Sequence, residues 1–360
     1  MEELRFALYG YGKVAELHAK ALASLSGTAR LVSVIGRDKT KREAFAGRWG
    51  ISARATAAEA ADRDRAEAIL VTTPHPLHAA HSLESSAAGL HVLVEKPMAL
   101  SVADCDAMIA AAGAAGRALG VVSQRRWYPA VRRIREALDS GRLGAPALGQ
   151  VVMLGWRDEA YYRSDPWRGS WAGEGGGVLV NQAPHQLDLL SWFLGPVVEV
   201  SAYWANLNHP YIEVEDTAVA ALRFPGGALG SILVSNSQKP GIYAKVHVHG
   251  SNGASTGVQT DGGAMFIAGM SGVLEPPVND LWTVPGEEGR LALWKAEDEA
   301  LFKTVDATWW FFARQIEDFA ASVREGRPPA VSGRDGRETV RLMEGIYESG
   351  RAGGPVRPMP

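Results

Sequence analysis

The chain has 360 residues, 46% of them hydrophobic and 21% charged, with a net charge of −3. That length exceeds one ordinary core and predicts two domains, while the small net charge leaves no footprint for nucleic acid or an acidic membrane surface. No run of about 18 uncharged apolar residues offers a membrane span, no signal peptide is evident at Met1-Glu2-Glu3, and the single Cys105 excludes an intramolecular disulfide and fits a reducing cytoplasm.

Leu4 to Tyr9 reads as a short apolar strand, followed by Gly10-Tyr11-Gly12-Lys13-Val14-Ala15 and an Ala-rich helix to about Leu25. Strand, GxGxxA and helix in that order are the context of a dinucleotide loop. Gly10 permits the tight turn, Gly12 lets backbone approach a pyrophosphate, and Ala15 allows close helix–strand packing. The helix N-terminus then offers amide donors and the positive end of a dipole. Tyr11, Lys13 and Val14 of the same loop join the expected cofactor contacts.

A second strand, Arg30 to Ile35, ends in Gly36-Arg37-Asp38-Lys39. An acid at this strand end would grip a ribose 2′-hydroxyl and select NAD. Gly36 stands there instead, and Arg37 suits adenine stacking and a 2′-phosphate, which favours NADP. An inward-turned Asp38 would restore NAD. Lys39 to Trp49 reads as a helix, a third strand lies near Ile51, and Asp62 to Arg65 is a charged turn. Ala68 to Val71 is the fourth strand, ending in Thr72-Thr73-Pro74 and a helix that carries His78 and His81. Thr72, Thr73, Pro74 and His78 are counted with the cofactor contacts, and a metal role for either histidine is not expected.

The apolar run Leu90 to Val94 leads into Glu95-Lys96-Pro97. A buried parallel strand does not accommodate Glu and Lys unless they are paired or used. The proline ends the strand. An amine is thereby presented at the carboxyl end of a sheet strand, where open α/β sheets bind ligands. A helix from Val102 and a strand from Leu119 to Ser123 close a doubly wound parallel domain, residues 1–123.

The remainder, residues 124–360, reads as an α+β domain. Gln124-Arg125-Arg126-Trp127-Tyr128-Pro129 opens it, then come helix Ala130 to Ser140 and strand 148–156. The loop that follows, from Arg157 through Tyr161, Tyr162 and Arg163 to Trp167, Arg168 and Trp171, sets aromatic rings beside guanidinium groups. Rings that cover C–H faces and arginines that grip oxygens suit a polyol. Arg126, Tyr128, Trp156, Arg163, Trp167, Arg168, Asn181 and Gln182 are the expected substrate contacts, with Lys96 and His185. Gly175-Gly176-Gly177 permits close backbone approach. Asn181 is read as the N-cap of the next helix, four residues before His185 and on its face, with Asp188 one turn further. A histidine titrates near neutral pH and suits acid–base work.

From Val197 to about Val284 strands alternate with turns, including a hairpin at Pro225-Gly226-Gly227. They predict an open, largely antiparallel sheet with one face under helices and the other available for a homodimer or homotetramer. His247 and His249 share a strand face, but no third ligand is identified and no metal site is expected. Ser251 to Gly263 reads as a loop. Trp309 to Arg324 and Thr339 to Ser349 are the last helices.

The segments GYGKVA (10–15), TTPHPLH (72–78), GLHVLVEKP (89–97) and GGGVLVNQAPHQLDLL (175–190), in this order and spacing, resemble the Gfo/Idh/MocA oxidoreductase family. The resemblance implies a two-domain, NAD- or NADP-dependent enzyme acting on a sugar, cyclitol or similar polyol. It also implies a cis Lys96–Pro97 bond and a last helix docked near the dinucleotide domain. In relatives a His–Lys pair sits by the reacting hydroxyl, which makes His185 and Lys96 catalytic, with Asn181 beside them. An Asp often stands where this chain has Asn181, and Asn orients by hydrogen bonds without exchanging a proton. Some relatives retain NAD and cleave glycosides by transient oxidation, which is the second functional class. A non-catalytic dinucleotide sensor is a third, disfavoured because both Lys96 and His185 are present. Glu95, Lys96 and Pro97 are expected as cofactor contacts, with Glu95 also a positioning partner.

Overall fold

The computed structural model describes residues 3–239, 241, 243–260 and 276–359. Two compact units emerge: residues 1–124 with 307–340, and residues 125–306 with 341–360.

In the first unit the chain alternates strictly. Its elements are β1 (Leu4–Tyr9), α1 (Lys13–Ala23), β2 (Ala29–Ile35), α2 (Lys39–Trp49), β3 (Ser52–Arg54), α3 (Ala57–Asp64), β4 (Ala68–Val71), α4 (His78–Ala87), β5 (His91–Val94), α5 (Val102–Ala114) and β6 (Leu119–Val121). The strands pair in the order β3-β2-β1-β4-β5-β6, all parallel. That order reverses between β1 and β4, and ligands of such sheets bind outside the strand ends at the reversal. The central strands read as continuous apolar runs because both faces are covered: all four residues of β4 are fully buried. Thr56 and Ser101 cap α3 and α5 through side-chain oxygens, which satisfies otherwise orphaned amides.

The second unit begins with α6 (Pro129–Asp139) and β7 (Pro146–Leu154). Short helices α7 (Glu159–Arg163), α8 (Trp171–Glu174) and α9 (Val178–Asn181) then lead to α10 (Pro184–Leu194). The strands β8 (Glu199–Ala205), β9 (Thr217–Arg223), β10 (Leu229–Ser235), β11 (Ala244–Gly250), β12 (Ser255–Thr260) and β13 (Val278–Trp282) complete a sheet ordered β13-β12-β11-β7-β10-β9-β8. Only the β7–β10 pair is parallel. Residues alternate between faces, as β9 shows with Ala218, Ala220 and Leu222 buried and Val219, Ala221 and Arg223 exposed. On the inner face a Cβ at Gly149 would come 2.7 Å from Leu194, so α10 lies close on β7. Part of the stretch expected as a loop, Ser255–Thr260, is strand β12, paired with both neighbours. Residues 261–263 of it lie outside the described residues.

The helix α11 (Arg290–Thr304) follows, then α12 (Trp310–Glu325) and α13 (Gly333–Ala352). Assignment of the whole of residues 124–360 to one domain needs correction, since α12 belongs to the first unit. The reason is its apolar stripe. Phe312, Ala313, Ile316, Phe319 and Ala320 complete the core over β1 and α1, with Phe319 6.1 Å from the Phe6 ring. Gln315 seals the join, accepting from Ser123 N at 2.9 Å and donating to Val121 O at 2.7 Å. The first residues of α13 fall in the first unit and the rest in the second. Among the described residues no helix is long and apolar enough to cross a membrane, and no group of three metal-ligating side chains occurs.

Candidate active site

At the reversal point of the parallel sheet, Gly10 has φ +117°, and a Cβ there would come 2.8 Å from Thr72 Oγ1. Only glycine fits a backbone this close at that dihedral. The β4 end is tied to it: Thr72 N donates to Tyr9 O at 2.8 Å and Thr72 Oγ1 to the same oxygen at 3.0 Å. Gly12 is the N-cap of α1, supplies no side-chain cap, and has nothing within 4 Å of a built Cβ. An eleven-residue helix thus presents uncapped amides to open space at the sheet's ligand edge. A dinucleotide pyrophosphate fits this cradle of donors and glycine.

Beside it, Thr73 Oγ1 and His81 Nδ1 are 3.0 Å apart, and the His81 ring stacks on Tyr9 at 3.8 Å. Burial pushes His81 down to about 4, so the ring is neutral at physiological pH. His78 departs from its expected role as a cofactor contact. It is fully buried, with Nδ1 2.7 Å from Pro97 O and Nε2 2.8 Å from Thr73 O. Both ring nitrogens are spent on backbone, so His78 ties the Thr73 loop to the Lys96 turn instead of meeting a ligand.

Glu95, at the end of β5, is buried and bonded to His18 Nε2 at 2.7 Å. Its other oxygen accepts from Lys96 N at 3.1 Å. Burial raises the carboxyl's pKa, but the His18 bond and the Lys96 charge more than offset it and leave Glu95 below the ordinary range. It is therefore a buried carboxylate held between His18 and the Lys96 amide, whereas Lys96 itself is half-buried. The Lys96–Pro97 bond is cis. His18 was invisible as a partner of Glu95, because 77 residues separate them.

In the second unit a different set of side chains converges. Tyr161, on α7, places its hydroxyl 2.6 Å from Arg168 Nη1, 3.0 Å from Asn181 Nδ2 and 3.0 Å from Gln182 Nε2. Asn181 also donates to Glu174, a fully buried carboxylate whose second oxygen accepts from Gly169 N at 2.7 Å. Arg168 stacks over the rings of Tyr161 and Trp167, each at 4.4 Å. Gln182 Oε1 accepts from Asn236 Nδ2 at 2.7 Å. Trp167, Arg168, Asn181 and Gln182 are thus brought together as expected. Tyr161, passed over as a substrate contact, is the hub, and Glu174 sets a buried carboxylate beside Asn181.

Other expectations need correction. Asn181 ends α9 and does not cap the next helix, since Ala183 precedes α10 and Pro184 is its first residue. The turn between them breaks the shared helical face with His185. Asp188, one turn beyond His185, has a strong partner of its own. It is held by Arg126, with Nε 2.9 Å from Oδ2 and Nη2 2.5 Å from Oδ1. Arg126 is itself buried, its guanidinium 4.8 Å over Trp192, so this bidentate pair spends its fork on Asp188 inside the unit. Arg163 is exposed and pairs with Glu159 at 2.5 Å on the outside of α7. Tyr128 precedes α6 as its N-cap residue, and Trp156 lies 5.3 Å from the His209 ring with Lys239 5.5 Å above it.

Beneath this cluster Glu215 is fully buried and holds the start of α9. Its oxygens accept from Gly177 N at 2.8 Å, Leu179 N at 3.0 Å and Tyr347 OH at 3.0 Å. A Cβ at Gly177 would sit 1.7 Å from the Glu215 carbonyl oxygen, so the last glycine of the triplet is obligatory. Burial pushes the Glu215 carboxyl up to about 7 in spite of those donors. His185 lies on the first turn of α10 and is 7% exposed.

Residues 4–123 match the family described as "Oxidoreductase family, NAD-binding Rossmann fold", and residues 131–256 match the GFO/IDH/MocA C-terminal domain. The chain is 27% identical over 350 residues to the inositol 2-dehydrogenase of Rhizobium meliloti (strain 1021), covering 96% of each chain. It is 27% identical over 290 residues to the scyllo-inositol 2-dehydrogenase (NADP(+)) IolW of Bacillus subtilis (strain 168), covering 79% of this chain and 77% of that one. Among solved structures it resembles the WlbA dehydrogenase from Bordetella pertussis in complex with NADH and UDP-GlcNAcA. The TM-score is 0.86 and the identity 29%, over 100% of this chain and 98% of that one. With a parallel dinucleotide sheet, the Glu95-Lys96-Pro97 turn and both halves matched, the chain belongs to the Gfo/Idh/MocA oxidoreductase family.

Proposed function

We propose that this oxidoreductase moves a hydride between a secondary alcohol of a sugar or cyclitol and NAD(P), with NADP favoured. The observation that carries the reading is the uncapped, open N-terminus of α1 at the sheet reversal, together with an amine at the end of β5 two strands away. When bound, the nicotinamide supplies or accepts the hydride. Lys96 holds the reacting oxygen and stabilises negative charge that develops on it. His185 takes up or returns the hydroxyl proton. Asn181 and Gln182, fixed through Tyr161, orient the polyol, and Trp167 and Arg168 bind its faces and oxygens.

The preference for NADP rests on charge. The Asp38 carboxylate caps its own helix α2, accepting from Lys41 N at 3.0 Å, and Arg37 beside it is exposed. We also propose that the exposed face of the antiparallel sheet joins copies of this chain as a dimer or tetramer. Tyr203, Val219, Leu233 and Val152 stand in register across β8, β9, β10 and β7, with Tyr203 77% exposed. A contiguous apolar row of this kind favours a self-complementary contact.

The test is a panel of sugars, cyclitols and their acids, run with NAD and with NADP. Reduced nicotinamide that accumulates in step with product supports the dehydrogenase. Glycoside cleavage with no net reduced nicotinamide would replace it with the redox-assisted hydrolase.

A further inference from the structure

An acid at the end of the second strand is the usual means by which this sheet architecture grips an adenosine ribose. Here Gly36 leaves more than an absence of charge. Its φ is not in the left-handed region, so the backbone there does not require glycine. The space above it is filled. A Cβ built on Gly36 would come 2.2 Å from Cε1 and 2.8 Å from Cδ1 of Tyr11, closer than real contacts allow. Tyr11 stands between Gly10 and Gly12 in the loop between β1 and α1. Its hydroxyl accepts from Asp38 N at 3.2 Å. The ring therefore spans from the pyrophosphate loop to the turn between β2 and α2.

That turn is fixed from the other side as well. Arg42 Nη1 donates to Gly36 O at 2.6 Å, and Asp38 faces its own helix, with Lys41 Nζ 3.9 Å from Oδ2. Arg37 is exposed and makes no ion pair among the described residues. The turn offers an aromatic ring and guanidinium groups where other members of this architecture offer a carboxylate.

We propose that Tyr11 is a specificity-determining residue for the dinucleotide. By occupying the volume above Gly36 it excludes a carboxylate from the ribose end and leaves Arg37 as the group that meets a 2′-phosphate. The preference for NADP is then locked by an aromatic–glycine pair, not by Arg37 alone. The proposal rests on the dinucleotide-binding reading of the first unit.

The test measures binding without turnover. NADH and NADPH are titrated into the purified protein, and energy transfer from tryptophan to the reduced nicotinamide gives each Kd. The set is wild type, Y11F, Y11A, G36D, Y11A/G36D and R37A, with thermal melts to exclude unfolded variants. Wild type and Y11F should bind NADPH about tenfold or more tighter than NADH, the worth of one charge-assisted contact. R37A should lose that margin. G36D alone should weaken both cofactors and gain nothing for NADH, because the ring stands where the carboxylate must go. Y11A/G36D should bind NADH tighter than G36D does by about tenfold while Y11A alone gives no such gain, a non-additivity expected of residues in contact. A G36D protein that switches to NADH as fully as the double variant overturns the proposal. So does a wild type that prefers NADH. A folded wild type that binds neither cofactor overturns the dinucleotide-binding reading itself, and the proposal with it.

Discussion

The first unit works through backbone at strand ends, and the second through side chains that hold one another. At the ends of β1, β4 and β5 the groups at the sheet's carboxyl edge are amides, glycines and one amine, each placed by the sheet beneath it. In the turns from α7 to α10, Tyr161, Glu174, Asn181 and Gln182 fix each other's rotamers before any substrate arrives. A backbone cradle tolerates exchange of its surface side chains but not of its glycines. A side-chain network is sensitive at every member, because loss of one leaves buried donors or acceptors unmatched.

The sharpest way to break the comparison is at Lys96, the side chain to which the proposed function assigns the first unit's part in the chemistry. Lys96→Ala should lower kcat by about 10²–10⁴-fold, with NADPH binding retained in a fluorescence titration. Near-normal turnover would remove Lys96 from the mechanism. A stability effect comes next. His18→Ala leaves Glu95 buried without the imidazole 2.7 Å away. A broken buried pair of this kind costs about 3–5 kcal/mol, readable as a lower midpoint in denaturant. Because the folded Glu95 carboxyl lies below its ordinary range, the stabilisation it brings is present above about pH 4.3 and fades as pH falls through the lower folded value. The variant should therefore show a flatter loss of stability in acid than the wild type.

Glu215 runs the other way. Its carboxyl is raised to about 7, so the folded protein binds a proton that the unfolded chain has released. Stability should fall as pH rises from about 4.3 toward that value, by an amount on the order of 3 kcal/mol. Glu215→Gln removes the titrating group, and melts across that window should lose the slope whatever their absolute midpoint. The smallest expected effect is at Tyr161. Phenylalanine there removes the oxygen shared by Arg168, Asn181 and Gln182, and KM should rise about tenfold with kcat less affected. An unchanged KM would show that the second unit's network is scaffolding alone.

The same contrast explains what the amino-acid sequence discloses. The parallel unit is legible because its signals are local and repeat: an apolar strand, a turn of Gly or Thr-Pro, a helix. Glu95-Lys96-Pro97 stood out for the same reason, as charge at the end of a buried run. In the second unit the residue types were recognisable but their partners were not. Arg126, Arg163 and Arg168 look alike in the chain, and what separates them is Asp188, Glu159 and the Tyr161 ring, found at separations from 4 to 62 residues. Asn181 was misplaced because the turn at Gln182-Ala183 breaks what reads as one helix. Glu174 and Glu215 gave only a weak signal, an acid just before the glycine triplet and another just before a strand. The membership of α12 was hidden for a related reason: its stripe reveals that it is amphipathic, not which surface it covers.

The place of α12 has a consequence for how the protein is made. The dinucleotide unit is assembled from two stretches of chain separated by the 182 residues from 125 to 306. Until α12 leaves the ribosome, the side of β1 and α1 that receives Phe312, Ile316 and Phe319 has nothing to cover it. At roughly 5–20 residues per second, the newly made N-terminal third waits on the order of ten seconds or more with that apolar surface bare. A fragment ending at residue 123 should therefore be released as an aggregation-prone species, not as a free-standing domain, and light scattering beside the full chain checks it.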